Sequence, residues 1–168
     1  RDFIPVYLDM QGMSSLSEER FFYSLARKIY LAAYNNKMLV AEPDEKDFID
    51  EPRFIFREVF LPKVINLLDI QRLLLLWDEF EELEGKADIS LFSYLRNLMQ
   101  HVEKLDFIFS GGPRLLDLSS EYWSILFNTA LHKKVSFLSE ENAIDLLVKP
   151  VEKDNMVCKD AHHVDLFK

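Results

Sequence analysis

Glycine is scarce in this chain: there are four in 168 residues, Gly12, Gly85, Gly111 and Gly112. A phosphate-cradling loop needs Gly, four residues, then Gly-Lys-Ser/Thr, and a dinucleotide fingerprint needs three glycines at fixed offsets. Neither can be assembled here, so the chain holds no phosphate in a glycine-rich loop of its own. Cysteine is scarcer still. The lone Cys158 excludes an intrachain disulfide and a cysteine-based zinc site, and it fits a reducing cytoplasm. Basic charge is in deficit: 20 Lys and Arg face 29 Asp and Glu, a formal −9. Such a field repels a phosphate backbone, and the densest basic spot is only Lys133-Lys134, so no direct nucleic-acid partner is expected. Apolar runs such as Leu73 to Trp77 fall far short of the roughly 18 residues of a membrane helix, so no membrane partner is expected either.

What is present is an ordinary globular composition, 49% hydrophobic and 29% charged, on a length that suits one domain with a short tail. The chain opens directly on a strand-like run, Phe3 to Asp9, as a piece of a longer protein would. A loop over Gly12 and Ser14-Ser15 follows. Ser15 and Glu18 have capping-box spacing for an amphipathic helix through Phe21, Phe22, Leu25 and Ile29 to about Tyr34. Residues 41–52, with Pro43, Pro52 and six acidic side chains, predict a solvated connection. A second helix is expected from about Phe54 to Leu68, kinked or split by Pro62.

Arg72 to Trp77 then reads as a short apolar strand that stops at Asp78-Glu79. An acidic loop from Glu81 to Asp88 leads to a helix near Leu91 to Val102, where Gln100-His101 caps the end. Leu105 to Ser110 is the next strand, ending at the turn Gly111-Gly112-Pro113. Tyr122 to Leu131 suits a helix and Lys134 to Leu138 a last strand. Ser139, with Glu140 and Glu141, caps a helix that Pro150 stops after Lys149. Strand and helix alternate four times, and the strands are solid apolar blocks of the kind buried on both faces. The expected fold is α/β, with a mostly parallel sheet covered by helices.

In an open α/β sheet, functional groups collect at the carboxyl ends of strands. Three such ends carry polar groups: Asp9, Asp78-Glu79 and Ser110. Adjacent carboxylates beyond a strand point in different directions, so one can face a metal and the other a water. Mg²⁺ takes oxygen ligands and keeps several waters, so a single carboxylate plus substrate phosphates is enough to hold it. A second carboxylate then orients and deprotonates the attacking water. The five hydrophobic residues Leu73 to Trp77 followed by Asp78-Glu79 contain the pattern of a Walker B motif, four hydrophobic positions and then Asp-Glu.

The stretch Leu73 to Leu83 resembles Walker B of the AAA-like and STAND ATPases of bacteria and archaea. Leu95 to His101 followed by Leu105 to Gly111 resembles the family's helix and sensor 1 strand. Tyr122 to Asn128, and Val135 through Lys149-Pro150, resemble its final core strand and the run toward its lid. The likeness covers roughly residues 3 to 151, and it implies a three-layer P-loop core over 1–151, with 152–168 the start of the lid or a tail. It further implies that Asp78 binds Mg²⁺ through water, that Glu79 is the general base and that Ser110 reads the terminal phosphate. Arg114 would be a further phosphate contact and Asp9 would line the cleft.

The resemblance places the Walker A strand, its loop and its lysine before Arg1, and the sensor 2 residues after Lys168. No arginine finger can be assigned. The expected cofactors of the parent protein are therefore ATP and Mg²⁺, with neither bound tightly by this chain alone. The expected partners are the parent's other domains, and the resemblance leaves room for a homo-oligomer. The rival expectation is a non-catalytic interaction module on the same scaffold. A weaker one is a metal-dependent hydrolase built on Asp78, Glu79 and Asp9. The tail residues Cys158, Asp160, His162, His163 and Asp165 match no standard zinc spacing.

Overall fold

The computed structural model describes residues 2–113, 115, 126 and 131–153. Two compact units divide the chain, Arg1–Ala130 and Leu131–Lys168. The first contains three parallel strands, β1 (Phe3–Asp9), β2 (Arg72–Asp78) and β3 (Leu105–Phe109), in the order β1-β2-β3. Parallel neighbours need long crossovers, and here these are helical. The first holds α1 (Met10–Met13), α2 (Glu18–Asn35), α3 (Pro52–Phe54), a π-helical turn (Ile55–Phe60) and α4 (Leu61–Ile65); the second holds α5 (Ile89–His101). The α/β class and the parallel sheet agree with the sequence.

Register sorts the sheet into rows. Ile4, Leu73 and Leu105 lie side by side, as do Val6, Leu75 and Phe107, and Trp77 lies between Leu8 and Phe109. These rows form the face under the helices, packed on Phe22, Leu25 and Ile29 of α2 and on Phe92, Leu95 and Leu98 of α5. Trp77 is fully buried among Phe21, Phe80, Phe107 and Phe109. The opposite face is more open: Phe3, Tyr7 and Ile108 are 44%, 56% and 51% exposed. Burial on both faces is therefore not what β1 has. Its buried and exposed residues alternate strictly, because among the described residues the helices cover one face.

Arg53 pins the helices together. Its Nε and Nη2 donate to the two Glu18 carboxylate oxygens at 2.9 and 2.7 Å, and Nη1 donates to Ser90 Oγ at 2.7 Å. The Tyr94 hydroxyl donates to the Arg53 carbonyl.

Several expectations are corrected. The loop after β1 begins as the helical turn α1, because Asp9 accepts a hydrogen bond from the Gln11 amide and caps it. Helix α2 starts after Ser17, with Glu18 and Glu19 in its first turn, so Ser15 is not its cap. The acidic connection folds into a 3₁₀ turn, Glu45–Phe48, because Phe48 is anchored in the core at 1% exposure. Pro62 neither splits nor ends its helix. The preceding turn widens to π geometry, with the Leu61 amide bonded back to the Phe56 carbonyl, which absorbs the missing proline N–H.

In the second unit, residues 131–139 form no strand, which overturns the expected strand Lys134 to Leu138 and the fourth strand–helix alternation. A strand exists only when its backbone groups are paired, and this segment has no ladder: Val135 and Phe137 are 88% and 100% exposed. Helix α6 (Glu140–Lys153) follows, with Ser139 Oγ accepting from the Asn142 amide as a cap. It runs through Pro150 instead of stopping there. A proline near a helix end forfeits a single bond, here to the Leu146 carbonyl, and Leu146 is 64% exposed to water. The expected helix from Tyr122 and the metal-ligand types of the tail lie outside the described residues.

Candidate functional site

The row that closes the open face of the sheet is polar. Asp9 pairs in register with Asp78, and one position past Phe109 stands Ser110. The parity that sends Leu8, Trp77 and Phe109 into the core sends Asp9, Asp78 and Ser110 to the other side. The three strand ends singled out in the sequence thus form one row.

Asp78 is the centre of that row. Its Oδ1 accepts from Ser110 Oγ at 2.7 Å and from the Glu79 amide at 3.1 Å, and its Oδ2 accepts from the Tyr7 hydroxyl at 2.8 Å. Both neighbouring strands thus hold the same carboxylate. The Ser110 and Tyr7 hydrogen bonds keep the Asp78 pKa below its ordinary value of 3.8, because they favour the charged form. The same contact raises the Tyr7 phenol.

Glu79 sits in the opposite environment. Desolvation raises its pKa first, followed by the nearby charges of Glu81, Asp78 and Asp9. Its backbone is left-handed, φ 53° and ψ 43°, where it ends β2 and begins the 3₁₀ turn Phe80–Leu83. A glutamate holds that conformation against a steric cost that glycine would not carry.

Glu81 and Tyr7 belong to the site although the sequence reading assigned neither a role. Glu81 Oε1 accepts from the Gly112 amide at 2.6 Å. Tyr7 was hidden in an apolar strand, and its alternation with Val6 and Leu8 is the signal that places it on the Asp78 face. Asp9 is committed to capping α1 through Gln11. Arg114 lies outside the described residues.

Among the described residues, no group of three or more His, Cys, Asp or Glu side chains could hold a metal ion. Asp9, Asp78 and Glu79, although neighbours, therefore do not form the ligand set that the metal-dependent hydrolase expectation required, and Asp9 accepts from the Gln11 amide instead. Asp78 alone fits an outer-sphere role: three of its about four acceptor sites are taken, and one remains for a metal-bound water. No helix among the described residues is long and apolar enough to cross a membrane.

No protein-family model, curated protein sequence or solved structure matches the chain.

Proposed function

We propose that this chain carries the Walker B and sensor 1 half of an ATP-hydrolysing domain of AAA-like or STAND type. One observation carries the reading: two adjacent carboxylates at the end of a central parallel strand sit in environments that push their pKa values apart. An ionised carboxylate held by hydrogen bonds suits a cation's water shell, and a neighbour with raised proton affinity suits a general base. Bound Mg²⁺ would supply charge neutralisation to the phosphates of ATP. Asp78 would orient the water shell of that ion, Glu79 would take the proton of the attacking water, and Ser110, hydrogen-bonded to Asp78, would contact the terminal phosphate. Arg114 and Asp9 would have the lesser roles of phosphate contact and cleft wall.

A titration of the 168-residue chain with Mg·ATP is expected to show no micromolar binding; micromolar affinity would refute this division of labour. In a longer protein that includes the phosphate loop, Glu79→Gln is expected to keep nucleotide binding and to lower turnover by about 10² or more. Unchanged turnover would remove Glu79 from the role of base. The rival reading is a non-catalytic interaction module that uses its acidic surface to bind a partner. A parent sequence with no Gly-Lys-Ser/Thr upstream would decide for it.

A further inference from the structure

Two turns meet at the site, one after β2 and one after β3, and their backbones are already joined. The Ser110 amide donates to the Trp77 carbonyl at 2.8 Å, and the Phe80 amide donates to the Ser110 carbonyl at 3.1 Å. Beyond Ser110 the ladder stops, and a side chain takes over: Glu81 Oε1 accepts from the Gly112 amide at 2.6 Å. Its second oxygen, Oε2, is buried with no hydrogen-bond partner among the described residues. That oxygen lies so close to Gly111 that a Cβ there would be 2.0 Å from it and 2.9 Å from the carboxyl carbon. A buried, unpartnered carboxylate oxygen is an arrangement a fold keeps only when something else fixes the group in place. Here the fixing contacts are the Gly112 amide and the space left by a missing side chain at Gly111.

We propose that Glu81 is a positioning residue: its carboxylate latches the turn after β3 to the turn after β2, and so holds the Ser110 hydroxyl on Asp78. The glycine pair then has a definite purpose. Gly111 makes room for the carboxylate and Gly112 supplies the donor. The latch concerns the geometry of the site and does not depend on which substrate the site takes.

The test uses the full 168-residue chain and needs no nucleotide, so its result is separable from that of the ATPase reading. Amide hydrogen exchange is measured at Gly112, and NMR shifts are followed at Ser110 and Asp78, with the core residues Leu25 and Leu95 as controls. Glu81→Ala is expected to speed Gly112 exchange by at least about tenfold and to shift Ser110 and Asp78 while the controls stay. Glu81→Gln retains an acceptor oxygen and is expected to restore both readouts most of the way. Gly111→Ala leaves Glu81 in place but displaces its carboxylate, so it should reproduce Glu81→Ala; it also serves if Glu81→Ala does not fold. Unchanged Gly112 exchange in Gly111→Ala overturns the latch. So does faster exchange with Ser110 and Asp78 unmoved, or a glutamine variant that behaves like alanine.

Discussion

The two ends of the same three strands handle charge in opposite ways. At the amino ends, Arg72 is paired with Asp106 through two hydrogen bonds, and the Lys104 ammonium donates to the carbonyls of Leu68 and Asp69. At the carboxyl ends, Asp9, Asp78, Glu79 and Glu81 gather, and among the described residues no ammonium or guanidinium makes an ion pair with any of them. Paired charge closes one end of the sheet. The other end has no such pairing among the described residues, although each end holds one left-handed residue, Lys104 before β3 and Glu79 after β2.

The largest effect should come from the row directly behind the carboxylates. Trp77→Ala empties a fully buried site at the carboxyl end and is expected to cost about 3–5 kcal/mol, read from denaturant unfolding. At the amino end, Leu73→Ala is expected to cost about 2–4 kcal/mol in the same assay. A smaller loss at Trp77 than at Leu73 would mean that the carboxyl end is not braced by its aromatic row. Arg72→Ala should cost the least, since the ion pair is partly exposed and screened. Its cost should shrink further in high salt; a cost independent of salt would show that the Arg72 stem, and not its charge, stabilises that end.

Local signals were legible and long-range ones were not. The apolar run ending at Asp78-Glu79, the spacing of Phe21, Phe22, Leu25 and Ile29 in α2, and the helix before β3 are properties of a few consecutive residues, and each stands in the structure. The Tyr7–Asp78 bond joins residues 71 apart, and nothing in the pattern around Tyr7 announces its partner. Glu81 looked like one more member of a solvated acidic run, because its use is set by the missing side chain at Gly111. The segment Lys134 to Leu138 has the composition of a strand, but composition cannot supply the neighbour a strand needs. Pro62 was expected to kink or split its helix, and the π turn that precedes it, Ile55–Phe60, has no signal in the local pattern.

The contrast between adjacent carboxylates can be tested by the pH dependence of unfolding. Asp78 has a folded pKa below its ordinary 3.8, so it stabilises the fold above 3.8 and that contribution fades as pH falls through the lower folded value. Glu79 has a folded pKa above its ordinary 4.5, so its ionisation opposes folding at neutral pH and the penalty disappears below 4.5. Thermal unfolding of the unaltered chain, Asp78→Asn and Glu79→Gln, measured from about pH 7 to about pH 3, reads both at once; glutamine keeps the backbone strain, so only the charge changes. Asp78→Asn should lower Tm at pH 7, with a deficit that narrows below 3.8. Glu79→Gln should raise Tm at pH 7, with a gain that vanishes below 4.5. Shifts of the same sign for the two variants at pH 7 would contradict the claim that the carboxyl end of this sheet is built as a site.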